Sequence, residues 1–228
     1  DIFNREVMTF NADDIGKVTQ HPNFDYSYFQ PYFKAYIEVT EDTAAGRPGN
    51  PDLIRKMHTP ITGFIASSKI PLADAQKIIK LFEKSPRMWA AFLAREDAPE
   101  ESVKHCMELL PEMLRAYSLS EANRSLKAIF CRPNVPKDIE TFKLLFTAFK
   151  GSREGIFSGA ERHIIEAFLN TSPNREQLEQ QIKDFLKEEI KDEWMLNTIF
   201  DNYGFAKQPG QFQEQLFCFN KRLKVFKA

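Results

Sequence analysis

Cysteine is scarce, at three residues in 228, in positions 106, 131 and 218. So sparse and odd a set cannot build a disulfide scaffold, and the thiols are expected to be free, as suits a reducing soluble compartment. Glycine is thin as well, 9 residues beside 13 prolines, which excludes collagen-like and low-complexity chains. Long apolar runs are missing: the longest clean one, Met88–Ala94, spans seven residues, far below the ~18 a membrane-spanning helix needs, so no membrane span is expected. Net charge is nearly absent. Lysine and arginine number 31 against 32 aspartate and glutamate, so the chain has no bulk positive field to draw a phosphate backbone toward it, and nucleic acid is not the expected partner.

The materials of catalysis and metal binding are thin too. The four histidines are His21, His58, His105 and His163, and none has a second ligand at metal-binding spacing; His105 and Cys106 are adjacent and point about 100° apart on a helix. There is no Cys-x-x-Cys, no His-x-x-x-His and no serine on a Gly-flanked elbow. Gly151, Gly155 and Gly159 recur every four residues without the Lys-Ser/Thr of a phosphate loop, and read as a connector. The carboxylate pairs Glu100–Glu101, Glu188–Glu189 and Asp192–Glu193 lie among lysines on what reads as a solvated face, whereas acid–base work needs a pocket that separates pKa values. No cofactor, no metal and no enzyme activity are expected; if an unrecognised site existed, Cys131 or His163 would carry it, each lying beside an anchor turn or an inter-repeat loop.

What the chain does have is phenylalanine, 21 residues of it, and a recurring phrase. A short apolar stretch ending in Phe is followed by a proline turn and a longer amphipathic stretch. The anchors are Phe64, Phe92, Phe130, Phe168 and Phe200, separated by 28, 38, 38 and 32 residues with a mean of 34, the length of a helix–turn–helix repeat. Pro71, Pro99, Pro136, Pro173 and Pro209 follow them at 7, 7, 6, 5 and 9 residues, where a proline stops one helix and opens the next. Asp74, Glu100, Glu101 and Asp138 then sit where a helix start favours acids, with Ser172 as an expected N-cap. Apolar positions recur at helical intervals, as in Ile139, Phe142, Leu145, Phe146 and Phe149, and no segment alternates as a hairpin strand would. The chain is expected to be all-α: a right-handed α-solenoid of about five helix–turn–helix repeats, because a single pair cannot bury its apolar face alone.

Residues 1–58 read as an aromatic-rich N-terminal extension, and 59–228 as the helical-repeat domain. Phe24, Tyr26, Tyr28, Phe29, Tyr32, Phe33 and Tyr36 place seven aromatics in thirteen positions, and the last four share one face of a helix that could open at Pro31. Lys34 alone is interleaved, too few cations for a base-stacking platform; the rings either cap the repeats or grip a partner protein, which makes Tyr26, Tyr28, Phe29, Tyr32, Phe33 and Tyr36 the partner-binding candidates. The polar stretch from Thr40 to Pro51 reads as a Gly/Pro-rich boundary loop. Two charge blocks stand near the other end: residues 205–228 carry a local +4 and 176–193 a local −4. The chain begins with Asp1 and shows no apolar core of a secretory signal, so it reads as a fragment or as the product of leader removal.

The segment Trp194-Met195-Leu196-Asn197-Thr198-Ile199-Phe200-Asp201-Asn202-Tyr203-Gly204 resembles the first helix of a pentatricopeptide repeat, with its Asn-Thr, its apolar pair and its Tyr-Gly. Phe212–Leu223 and Asp74–Phe82 are similar to the family's second helix. The resemblance covers about residues 60–226 and elsewhere rests on period and apolar rhythm. It implies an organellar protein, mitochondrial (matrix) first, and a place among the protein subunits of a larger assembly such as ATP synthase. Members of that family read single-stranded RNA, one repeat to a nucleotide, through polar residues in the first helix; Asn197 and Thr198 would be those positions here. Their counterparts Ile61 and Thr62, Trp89 and Ala90, Lys127 and Ala128, and Ile165 and Glu166 are mostly unable to read a base edge. A protein-binding scaffold is therefore the expected function, with RNA binding, or a bacterial helical-repeat effector or adaptor, as the alternatives.

Overall fold

The computed structural model describes residues 18–19, 21–46, 61–155, 157, 159–203 and 205. The chain is all-α: every regular element among the described residues is helical, with no strand. A single 3-10 turn, Tyr26–Tyr28, leads into α1 (Gln30–Ala44), residues 61–65 are helical, and α2 (Leu72–Leu81), α3 (Pro86–Phe92), α4 (Glu100–Glu108) and α5 (Leu110–Ala116) follow. Then come α6 (Leu119–Phe130), α7 (Ile139–Lys150), α8 (Arg162–Asn170), α9 (Arg175–Glu189) and α10 (Glu193–Asn202).

The helix starts lie where the sequence punctuates them. Pro71 and Pro99 occupy the N-cap positions of α2 and α4 in extended conformation, so the missing proline N–H costs no helical bond. Asp138 caps α7 by accepting the Thr141 N–H at 2.8 Å, and Asp192 caps α10 by accepting that of Met195 at 2.8 Å. Ser118 and Glu121 form a reciprocal capping box on α6. Pro111, the second residue of α5, has no N–H to continue α4, and the two helices part at Leu109.

One helix start and one helix end differ from expectation. Before α9 the cap position is taken by Asn174, while the Ser172 hydroxyl oxygen accepts the Asn174 N–H at 3.3 Å and so closes a local turn instead of capping the helix. And the stretch expected as a loop from Thr40 remains helical to Ala44. There the Thr40 and Thr43 hydroxyls donate to the carbonyls of Tyr36 and Val39, four residues back, which removes their competition with the helix backbone. The remainder of that loop, from Arg47 to Pro51, lies outside the described residues, as do Pro209 and Phe212–Leu223.

The described residues divide into two compact units, one holding those up to Glu83 with Ala91–Ala98, the other Lys84–Ala90 and those from Pro99 onward. In the first, α1 packs on α2 and on the 3-10 turn, and the Phe33 ring meets Phe64 edge-on at 5.4 Å. In the second, helices two apart in sequence lie side by side: α5 with α7, and α6 with α8. α9 packs on α7 and α8, and α10 on α9.

Phe64, Phe92, Phe130 and Phe168, the anchor positions, are all buried. Phe130 meets Phe168 edge-on at 5.9 Å, joining α6 to α8. The fifth anchor differs: Phe200 is half-buried and its neighbour Ile199 fills the core position. In the connection between α7 and α8, Phe157 adopts φ 55°, a left-handed conformation that costs a bulky residue about 1–3 kcal/mol. Its ring packs against Phe146, Phe149 and Tyr203, and its carbonyl accepts the Tyr203 hydroxyl at 3.1 Å; this burial offsets the strain.

Candidate functional site

The aromatic segment is built on two local devices. Asp25 accepts the Ser27 N–H at 2.8 Å and starts the 3-10 turn, which holds its carboxylate below the usual range. Pro31 in the first turn of α1 then fixes the helix direction. The period of α1 sorts the rings. Phe33 and Tyr36 point inward and are 1% exposed; Tyr36 stacks on Phe82 at 5.9 Å, and its buried hydroxyl has no acceptor, so burial raises its pKa. Phe29 is half-buried against Phe64 at 5.0 Å and stacks on Phe24 at 5.1 Å. Tyr26 donates its hydroxyl to the Asp74 carboxylate at 2.5 Å. Burial and that carboxylate together push the phenol pKa upward.

Of the six expected contact residues, two are therefore core, because the helix period turns them onto the face that packs against Phe64 and Phe82. Phe29 and Tyr26 are partly covered, and Tyr32 lies in α1 with its side chain outside the described atoms. Among the described side chains of the six, Tyr28 alone is broadly open to solvent, at 65% exposure. It borders an open hollow of about 470 Å³ lined also by Val18, His21, Asn23, Phe24 and Asp25. The Asn23 N–H donates to His21 Nδ1 at 3.2 Å, and Lys69 Nζ reaches the His21 carbonyl at 3.1 Å, fixing the polar rim. Such a surface presents one large amphipathic ring over an apolar floor, which suits contact with another chain rather than bond-making.

The positions expected to read RNA bases separate in the same way. Asn197 is exposed on α10, and Thr198 is half-buried with its hydroxyl donated to the Trp194 carbonyl at 2.8 Å. Their counterparts Ile61, Trp89 and Ile165 are all buried, as are Ala90, Ala128 and Glu166. Sequence reasoning passed over the residue beside them: Trp194 is 77% exposed and Met195 is open too, although the helical rhythm of that segment marks Ile199 as the inward position and could have shown it.

The two residues named for an unrecognised active site are not brought together by any bond among the described residues. His163 is exposed, its Nδ1 3.4 Å from the Glu166 carboxylate, which also takes Arg162 Nε at 3.1 Å; Cys131 caps the end of α6. No group of three or more potential metal ligands occurs among the described residues, and no described helix is long and apolar enough to cross a membrane. No protein-family model matches the chain, nor does any curated protein or solved structure.

Proposed function

We propose that the protein is a non-catalytic helical-repeat subunit that binds other proteins in a larger assembly. The observation that carries this reading is the packing of helices two apart in sequence, α5 on α7 and α6 on α8. Stacked helix pairs shared between neighbours produce this pattern, and about five such pairs in a right-handed α-solenoid account for the anchor spacing. The buried state of Ile61, Trp89 and Ile165 supports a protein partner over RNA, since a base reader needs those positions at the surface. Tyr28 and Trp194 supply exposed aromatic surface of the kind that anchors interfaces.

The resemblance of Trp194–Gly204 to a pentatricopeptide-type repeat suggests that family, with a mitochondrial assembly such as ATP synthase as the setting in which to look first. Native purification from the source, followed by cross-linking and mass spectrometry, tests the reading. The protein should elute in a complex and cross-link to fixed subunits; a free 26.5 kDa monomer with no cross-linked partner overturns it.

A further inference from the structure

The outer face of α10 carries apolar surface that the described packing leaves open. Trp194 and Met195, in its first turn, stand in solvent, while the same helix turns Ile199 inward and packs on α9. The polar side chains one turn on are bonded to the helix itself: the Thr198 hydroxyl donates to the Trp194 carbonyl at 2.8 Å, and the Asn202 amide donates through Nδ2 to the Thr198 carbonyl at 2.9 Å. Asn197 and Asp201 follow Trp194 at the three- and seven-residue spacing of one helix face, and both are exposed. The face is thus a ridge with a large apolar ring at one end and a carboxylate at the other.

Charge around that ridge is mostly of one sign. Between residues 188 and 202 the carboxylates are Glu188, Glu189, Asp192, Glu193 and Asp201, all exposed, against the single cation Lys191. The preceding lysines of α9 are drawn to acids of their own helix, Lys183 Nζ to Glu179 at 2.7 Å and Lys187 Nζ to Asp184 at 3.6 Å. Asp192 accepts the Met195 N–H at 2.8 Å, which holds its carboxylate beside Trp194. An apolar surface rimmed by acids selects a partner of the inverse pattern, an apolar ridge flanked by lysine or arginine. With no strand edge among the described residues to pair an extended chain, the partner segment must satisfy its own backbone bonds, and a helix does so.

We propose that the outer face of α10 is a docking surface for a cationic amphipathic helix of a partner protein. This rests on the reading of the chain as a protein-binding subunit and names the chemistry of what it binds. Trp194 and Met195 meet the apolar ridge of the incoming helix and set how long the complex lasts. The five carboxylates meet its basic flanks; they set how fast it forms and which sign of partner is admitted. Because five groups share that task, the loss of one has little effect, whereas the tryptophan ring has no substitute on this face.

Titration of the full-length protein into a fluorescein-labelled amphipathic peptide of leucine and lysine, read as anisotropy, tests this. At ~50 mM salt the peptide should bind, and the same peptide with glutamate for every lysine should not. Trp194→Ala should weaken binding at least about ten-fold. Glu189→Lys/Asp201→Lys, which places lysines near helix C-termini where they are favoured, should weaken it about ten-fold at ~50 mM salt and no more than about two-fold at ~500 mM. Absence of peptide binding, as would follow if the basic residues 206–228 of the chain cover the face, overturns the proposal, and so does binding that Trp194→Ala leaves unchanged. A dimer that Trp194→Ala dissociates would assign the face to a second copy and overturn it as well. An assembly recovered intact from the source, beside failed peptide binding, sinks the α10 face alone; a free monomer that binds the peptide sinks the subunit reading instead.

Discussion

Arg95 and Asp97 close a bidentate pair, Nε to Oδ1 at 2.8 Å and Nη2 to Oδ2 at 2.9 Å, although only one residue separates them. The guanidinium is buried, and its remaining N–H groups go to the carbonyls of Ile65 at 3.3 Å, Ser67 at 2.6 Å and Ile70 at 2.7 Å. Every donor of the side chain is thereby used. One arginine ties the chain between the helical residues 61–65 and α2 into a fixed path, and the aspartate orients the fork.

Losing that arginine should cost far more than losing its aspartate. Arg95→Met leaves three carbonyls without their partner, and a loss of about 3 kcal/mol or more is expected. Asp97→Asn keeps the carbonyl bonds, and the Asp97 side chain is 42% exposed, so its cost should stay below ~1 kcal/mol. Urea titrations followed by far-UV circular dichroism measure both; equal losses would mean that the ion pair, and not the carbonyl set, holds the segment.

Lys137 gives a pH signature with a definite sign. Burial lowers its folded pKa to about 8, below the unfolded value of 10.5, so between those values the unfolded chain binds more protons and stability gained from this group rises with pH. The buried thiols and the phenols of Tyr26, Tyr36 and Tyr203 shift the other way, and their contribution falls as pH climbs through and above their unfolded pKa values near 9 and 10. The difference between wild type and Lys137→Met isolates the lysine. Subtracting the two stability curves should leave a positive slope from pH 8 to 10.5 and a plateau below pH 7; a flat difference throughout would show that Lys137 titrates normally.

How far the fold was legible depends on which interaction decides each feature. Helix starts at Pro71, Pro99 and Asp138 follow from local chemistry, since a missing N–H or a capping carboxylate acts within four residues. The anchors at Phe64, Phe92, Phe130 and Phe168 were legible because large rings at helical spacing have few places to go but inward. Arg95 was not: three of its five acceptors are backbone carbonyls some 25–30 residues away in sequence, and a lone arginine carries no sign of them. The sorting of the aromatic segment was only half legible. Periodicity grouped Phe29, Phe33 and Tyr36 on one face, but what distinguishes a packed face from a contact face is the presence of Phe64 and Phe82 opposite it. Lys137 was passed over for the same reason, because its bonds are to the backbone carbonyls of Arg132 and Val135, which any residue type could provide.

The edge-on pair of Phe130 and Phe168 should be a strong point of the second unit. Both rings are completely buried, and Phe168→Ala is expected to cost about 3–5 kcal/mol. Phe200→Ala, at a half-buried position on α10, should cost distinctly less. Thermal or denaturant unfolding of the two variants compares them directly, and a Phe200 loss matching that of Phe168 would put α10 on the same footing as the inner helices.

The last expectation separates packing from partner binding in the aromatic segment. Phe33→Ala removes a buried ring that meets both Tyr26 and Phe64, so it should lower stability by about 3–5 kcal/mol, and any loss of binding it caused would be uninterpretable. Tyr28→Ala removes a ring that is mostly in solvent, and the change in stability should stay within ~0.5 kcal/mol. If exposed aromatics anchor the partner, Tyr28→Ala or Trp194→Ala will weaken co-purification of the assembly by at least about ten-fold, the cost of ~1.4 kcal/mol typical of a residue near an interface centre. Reversal of a rim charge on α9, such as Glu188→Lys, should leave the yield of complex nearly unchanged at physiological salt. Full retention of the complex by the double variant Tyr28→Ala/Trp194→Ala, with circular dichroism unchanged, would remove both rings from the interface and leave charge complementarity as the stronger account.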